Sequence, residues 1–184
     1  MTRRALVIGG TGMLAGCTAA LVADGWHVVV PSRRYAPIPD ETASNGGGQA
    51  IWVEADWAEP KELANRAERA LGGKADLLVA WVHSRARPSV LRAVARLLAG
   101  GAPVVEVHGS ASANPVDGCP DPILADHPTH QVVLGFVMRG GRTRWLTHAE
   151  TAEGVLDAVH RALDGRPPGV HQVGDFRAYP VTRR

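Results

Sequence analysis

A short apolar strand leads into a glycine-rich turn and then into an alanine-rich helix at the start of this chain. The strand is predicted over residues 5–8, the turn GGTG over 9–12 and the helix over 13–24. Because glycine carries no side chain, backbone N–H groups at the start of such a helix can approach a pyrophosphate closely. The alternative interpretation is a glycine-rich turn that holds no ligand.

The alternation of strands and helices continues along the chain. Further strands are predicted at 28–30, 50–56, 75–82, 103–107, 131–138 and 169–176, and further helices at 59–71, at 88–99 and between Thr147 and Gly165. Capping-box spacing at Asp56 with Glu59, and at Thr147 with Glu150, indicates where two of these helices begin. Almost continuously apolar strands alternating with amphipathic helices predict an α/β fold, a doubly wound Rossmann domain whose mostly parallel sheet has six or seven strands.

Composition excludes several classes of protein. The 184 residues favour a single domain over 1–184, with flexible loops expected at 35–49 and 111–130, where proline and glycine concentrate. Twenty basic and 18 acidic residues are spread evenly, which argues against a nucleic-acid partner. No apolar run reaches the roughly 20 residues of a membrane helix. Cys17 and Cys119 lie in unlike contexts without a disulfide pattern, so we expect a cytoplasmic protein.

The end of the second predicted strand indicates which dinucleotide the turn would bind. An NAD-binding domain places an acid there to hold the ribose 2′-hydroxyl, whereas this chain has Ser32, Arg33 and Arg34. Guanidinium groups accept a 2′-phosphate through charge-assisted hydrogen bonds, and a carboxylate would repel it. We therefore predict NADP(H) as the cofactor. The alternative is that both arginines are only solvated charges at a strand end.

Four segments together resemble the Rossmann half of the short-chain dehydrogenase/reductase superfamily, in its atypical or extended members. They are VIGGTGMLAG, SRR, the Ala-Asp pair at 55–56 and DLLVAWVHS, and LGFVMRGG is similar to the family's Pro-Gly turn with Leu134 in place of the proline. The resemblance implies that the acid after the third strand lies beside the adenine and that the segment after the fourth strand lines the ribose and nicotinamide. The cofactor-binding residues so predicted are Gly9, Gly10, Thr11, Gly12, Met13, Leu14, Ser32, Arg33, Arg34, Asp56, Trp57, Ala80, Trp81, Val82 and His83.

The family's catalytic Tyr-x-x-x-Lys pair has no counterpart in this sequence. The tyrosines are Tyr35 and Tyr179, and the residues four places further on are Pro39 and Arg183. Four prolines between residues 111 and 130 would also interrupt the helix on which the family carries the pair. We therefore expect this helix to be deleted.

Polar residues near the carboxyl ends of predicted strands are the remaining candidates for chemistry. Ser110 stands where the family has its serine and is a candidate catalytic residue, although it could instead satisfy backbone groups of a turn. His83 is a candidate cofactor donor or general acid, with structural hydrogen bonding as the alternative. The substrate pocket is predicted to include His108, Ser110 and Phe136.

Two other groups of residues are interpreted as structural. Glu106 lies within an apolar strand and is expected to be paired with an opposite charge. Histidines near Cys119 match no familiar zinc-ligand spacing, so no metal site is predicted.

These features agree with three functions. The first is an NADPH-dependent reductase of a small-molecule imine or carbonyl, in which an iminium would need little acid catalysis and a carbonyl would be protonated by His83, His127 or bound water. The second is an NADP(H)-binding sensor or scaffold without turnover, and the third is a cyclase or isomerase that uses the same pocket. Because few elements are left to close the pocket, a homo-oligomer whose second subunit covers it is expected.

Overall fold

A computed structural model describes residues 1–9, 12–35, 47–83, 85–109 and 119–175. Its strands are β1 (Arg4–Ile8), β2 (His27–Ser32), β3 (Gln49–Glu54), β4 (Leu77–Ala80), β5 (Val104–Gly109), β6 (Thr129–Leu134), β7 (Phe136–Arg139), β8 (Arg142–Trp145) and β9 (Val170–Val173). Seven of them form one all-parallel sheet in the order β3-β2-β1-β4-β5-β6-β9. The predicted doubly wound α/β fold is therefore confirmed, with seven strands in the sheet.

Helices cover both faces of this sheet. They are α1 (Ala15–Ala23), α2 (Pro60–Leu71), α3 (Arg87–Val94), which continues as a 3-10 turn over Ala95–Leu97, and α4 (His148–Leu163). Since successive strand residues point to opposite faces, Ala5 and Val7 pack on the side of α1 and α4, while Leu6 and Ile8 pack on the side of α2 and α3. Two apolar layers result, which is why the strands are apolar at consecutive positions.

The two predicted capping boxes have different outcomes. At α4 the Glu150 N–H donates to Thr147 Oγ1 at 3.1 Å, and the Thr147 N–H donates to Glu150 Oε2 at 3.0 Å, so this box is confirmed. At α2 the prediction is wrong, because the helix begins at Pro60 and the Asp56 carboxylate accepts from the Ala58 N–H instead. Proline at the first helical position has no N–H that a cap would need to satisfy.

The sixth predicted strand is shorter than expected. It ends at Leu134, and β7 leaves the sheet to pair antiparallel with β8. The loop between β7 and β8 consists of Gly140 and Gly141, both with positive φ, as a tight two-residue hairpin turn requires. The Gly-Gly pair was thus a hairpin signal that the apolar run over 131–138 concealed.

Residues 36–46 and 111–118 of the two segments predicted as loops lie outside the described residues. Of the described part, Gln49 is the first residue of β3, and Thr129 and His130 begin β6. Residues 119–128, in the interval where the catalytic helix of the resembled family would lie, form no helix. None of the described helices combines the length and the apolar character that a membrane span requires.

Candidate functional site

The turn after β1 is built so closely that only glycine fits at its first position. Gly9 has φ +82°, and a Cβ there would lie 2.2 Å from the carbonyl oxygen of Trp81, the residue that follows β4. Gly12 has no atom within 4 Å of such a Cβ, so open space remains above the start of α1. The N-cap of α1, Leu14, makes no side-chain hydrogen bond to the first-turn N–H groups. This end of the helix therefore offers backbone donors of the kind that bind phosphate. Gly10 and Thr11 lie outside the described residues.

A cleft of about 240 Å³ joins this turn to the end of β2. Its lining consists of Gly9, Pro31, Ser32, Arg33, Arg34, Ala55 and Trp57. Both arginines are exposed, and no carboxylate is found among the described residues that line the cleft. The cleft is therefore an electropositive site that suits an anion.

Hydrogen bonds hold the backbone that carries these arginines. The Ser32 hydroxyl donates to the Arg34 carbonyl oxygen at 2.8 Å and accepts from Trp52 Nε1 at 2.7 Å. Tyr35 packs edge-on against the same Trp52, with ring centroids 5.3 Å apart. Ser32 thus fixes the turn on which Arg33 and Arg34 are presented.

The predicted cofactor residues after β3 and β4 lie beside this cleft or at its edge. Trp57 lines it and packs edge-on against His83, with ring centroids 5.3 Å apart. His83 is exposed, and its carbonyl oxygen accepts the N–H groups of Ala86 and Arg87 at the start of α3. Ala80 and Val82 are buried on the α2 and α3 side of the sheet, so their side chains serve the core.

A second cavity, of about 370 Å³, lies on the other side of the glycine-rich turn, over the ends of β4, β5 and β6. Met13, Trp81, Gly109, Leu134, Trp145 and Thr151 are among its lining residues. The β7–β8 hairpin and the start of α4 form its outer wall; the sequence analysis placed Phe136 of the hairpin in the substrate pocket but assigned no residue of α4 to a site. The signals available were the Gly-Gly turn and the Thr147–Glu150 capping box, which place both elements directly after β6.

Two of the residues predicted for the substrate pocket, His108 and Phe136, are not among the described lining of this cavity. Side chains alternate along β5, so His108 points with Glu106 to the α2 and α3 side while Gly109 lines the cavity. Phe136 is half-buried in β7, where its backbone pairs with Asp175. Ser110 lies outside the described residues.

Glu106 is paired, as expected, in a buried polar network. Arg87 Nε and Nη2 lie 2.9 and 2.7 Å from Glu106 Oε2, and His108 Nε2 lies 3.3 Å from the same oxygen. Gln131 Oε1 joins His108 Nε2 at 3.0 Å and the Cys119 thiol at 2.9 Å. Burial raises the pKa of Cys119, and the charge of Glu106 raises it further, so this thiol is not an activated nucleophile.

The remaining histidines that were considered lie away from the carboxyl edge of the sheet. His127 Nδ1 is 2.8 Å from the Ala102 carbonyl oxygen, before the start of β5. His130 and His171 stack with nearly parallel rings, and Nδ1 of the first lies 3.1 Å from Nε2 of the second. Within the described ranges no three His, Cys, Asp or Glu side chains are grouped as a metal site would require.

No protein-family model and no curated protein sequence matches the chain. Solved structures do match it over nearly its whole length. The NADH-dependent reductase A1-R′ in complex with NAD is 17% identical, with a TM-score of 0.68 over 97% of this chain and 98% of that one. A short-chain dehydrogenase/reductase from Serratia marcescens is 17% identical, with a TM-score of 0.64 over 94% and 96%. The TT0495 protein from Thermus thermophilus is 21% identical, with a TM-score of 0.65 over 94% and 97%. The resemblance drawn from the sequence motifs is thus confirmed for the architecture: this chain has the fold of short-chain dehydrogenase/reductase structures.

Proposed function

We propose that this protein is an NADPH-dependent reductase of a small-molecule imine or carbonyl. The observation that carries the proposal is the cleft that joins the glycine turn at Gly9 to Arg33 and Arg34. Its glycine end suits the pyrophosphate, which NADPH shares with NADH, and its arginine end suits the 2′-phosphate, which distinguishes NADPH. The fold adds support, because one of the similar structures is a reductase crystallised with NAD.

The described residues fit a dinucleotide laid across the glycine-rich turn. The turn and the uncapped start of α1 would hold the pyrophosphate, while Trp57 and Asp56 would lie on the adenine side. The nicotinamide would then reach towards the cavity beside Trp81 and Met13. In open α/β sheets this carboxyl edge is where ligands bind.

Preference for NADPH over NADH rests on charge. Among the described residues of the cleft the ionisable groups are Arg33 and Arg34, and an NAD site would place an acid there. The 2′-phosphate of NADPH accepts hydrogen bonds from the guanidinium groups. When NADH is bound, its uncharged 2′-hydroxyl gives no such ion pairs, and the guanidinium groups stay hydrogen-bonded to water.

Bound NADPH would supply the hydride, so the chain itself has to orient the substrate and provide a proton where one is needed. Ser110 is the candidate retained for donating that proton, because His83 packs against Trp57 on the adenine side and is not among the described lining of the cavity beside Trp81. His127 is not retained, because its contact with Ala102 places it at the amino end of β5. An iminium substrate would depend less on a proton donor, because it already carries the positive charge that protonation would supply.

A dinucleotide-binding sensor without turnover is the second candidate, favoured by the absence of a Tyr-x-x-x-Lys pair in the sequence. The two functions are separated by titrating NADPH and NADH calorimetrically and then following NADPH oxidation with cyclic imines, aldehydes and ketones. The reductase predicts tighter NADPH binding and substrate-dependent oxidation that falls in S110A. Tight binding without oxidation by any substrate would support the sensor, and no binding would refute both.

A further inference from the structure

Trp52, on the edge strand β3, contacts both ends of the arginine turn, residues 32–35, which carries the two arginines of the cleft. Its indole Nε1–H donates to Ser32 Oγ at 2.7 Å, and its ring packs edge-on against Tyr35 with centroids 5.3 Å apart. The backbone at the start of the turn is also fixed, since the Ser32 carbonyl oxygen accepts the Ala55 N–H at 3.0 Å. One tryptophan thus brackets both arginines.

Ser32 lines the cleft, yet its hydroxyl has no proton left for a phosphate. A hydroxyl carries one proton, and this proton goes to the Arg34 carbonyl oxygen at 2.8 Å, because a carbonyl oxygen can only accept. The indole N–H of Trp52 can only donate, so it occupies a lone pair of the Ser32 oxygen. A phosphate at neutral pH offers mainly acceptor oxygens. A hydrogen bond from Ser32 to the 2′-phosphate would therefore break the bond to Arg34.

The exposure of both arginines makes the backbone beneath them important. Side chains that lie in solvent lose conformational freedom when they bind a phosphate, and this loss opposes binding. A turn that is held in place before the ligand arrives lowers the cost, because fewer bonds remain to be ordered. Loss of the hydrogen bonds that hold the arginine turn should therefore weaken phosphate binding at this end of the cleft alone.

We propose that Ser32 and Trp52 determine the preference for NADPH as positioning residues, which hold Arg33 and Arg34 for the 2′-phosphate and do not contact it. The inference deepens the proposed function and rests on it. Ser32, which the sequence predicts as a cofactor-binding residue, then acts through the arginine turn. Trp52, to which the sequence analysis gave no role, becomes a determinant of specificity.

Two variants separate positioning from direct contact. S32A removes the hydroxyl, and W52F removes the indole N–H while it keeps an aromatic ring for Tyr35 to pack against. Each is made in the wild type and in the R33A/R34A background. Calorimetry then gives the Kd for NADPH, for NADH and for adenosine 2′,5′-bisphosphate, which carries the 2′-phosphate but lacks the nicotinamide.

S89A is the matched control for S32A. Ser89 is an exposed serine of α3 whose hydroxyl also donates to a backbone carbonyl oxygen, that of Ala86 at 3.4 Å, and it is not among the described lining of the cleft. Thermal denaturation checks that every variant is folded. If W52F does not fold, S32A in the two backgrounds decides between positioning and direct contact.

S32A and W52F should each raise the Kd for NADPH and for the bisphosphate roughly 3- to 10-fold. The Kd for NADH should change less than about twofold, because NADH has no group that the arginines bind. In the R33A/R34A background neither substitution should have a further effect, since no guanidinium group remains to be positioned. S89A should leave all three affinities unchanged.

A direct contact between Ser32 and the 2′-phosphate predicts other results. W52F would then keep the wild-type affinity for NADPH, and S32A would still weaken NADPH in the R33A/R34A background. Either result would overturn the inference, as would equal losses of NADPH and NADH affinity, which indicate a purely structural role.

The inference and the proposed function fail in different ways. Substrate-dependent oxidation of NADPH by the wild type, together with wild-type affinities in S32A and W52F, would overturn the inference alone. The expected affinity losses in a protein that oxidises NADPH with no substrate would support the inference and remove the reductase. A wild type that binds neither NADPH nor the bisphosphate would refute both.

Discussion

Replacing Arg33 and Arg34 together by alanine is expected to remove the preference for NADPH over NADH. Both guanidinium groups are exposed at the cleft, so each hydrogen bond to a phosphate is weakened by solvent and contributes about 1 kcal/mol. Two such contributions give about 2 kcal/mol, which corresponds to roughly a 30-fold increase in the Kd for NADPH. The Kd for NADH, which has no 2′-phosphate, should change less than about twofold.

Isothermal titration calorimetry of the wild type, R33A/R34A and R92A with each nucleotide measures this directly. Arg92 is an exposed arginine of α3 outside the cleft, so R92A controls for the loss of positive charge in general. Raising the salt concentration should weaken NADPH binding by the wild type more than by R33A/R34A, because screening acts on the same contacts. If R33A/R34A keeps the wild-type ratio of NADPH to NADH affinity, the assignment of the 2′-phosphate to these arginines is refuted.

Three further outcomes concern stability, each measured by denaturation. Gly9→Ala should lower the free energy of unfolding by at least about 2 kcal/mol, because the residue has positive φ and its Cβ would meet the Trp81 carbonyl oxygen just after β4; a loss below about 0.5 kcal/mol would contradict this. Arg87→Met should lower the free energy of unfolding by about 3–5 kcal/mol, because it leaves the charge of Glu106 buried without a partner. The double variant R87M/E106Q should recover part of this loss. Equal stability of the two variants would argue against a stabilising ion pair between Arg87 and Glu106. Burial lowers the pKa of His130 and of His171, so the folded state favours their neutral forms and Tm should fall as pH drops below about 6.5. A smaller fall is expected in H171F, and the same fall in wild type and H171F would contradict the assignment.

Sequence reasoning predicted the fold because the two layers of the core leave a local signature. Strands such as β1 are apolar at consecutive positions, here from Ala5 to Ile8, since Ala5 and Leu6 face opposite helical layers and both are buried. The start of α4 was also predictable, because the capping box between Thr147 and Glu150 is a contact across three residues. The β7–β8 hairpin was missed, since its strands continue the apolar run of β6 and only the Gly-Gly turn marks the reversal.

The parts of the candidate site that could be predicted are those whose residues follow adjacent strands of the sheet, because the strand order alone brings them close together. Gly9 follows β1 and Arg33 follows β2, and adjacent parallel strands bring their carboxyl ends together at one edge. Thr151 could not be found in this way, because it reaches the cavity only through the position of α4 after the hairpin. Likewise, no local pattern showed that Arg87 would be buried against Glu106, since the pair joins a helix to a strand 19 residues further on.

A crystal structure of the protein with NADP⁺ tests the central claim most directly. The account predicts the pyrophosphate at the turn over residues 9–12, the 2′-phosphate within hydrogen-bond distance of Arg33 or Arg34, and the nicotinamide in the cavity beside Trp81. A dinucleotide bound elsewhere, or bound with its 2′-phosphate directed away from both arginines, would contradict it.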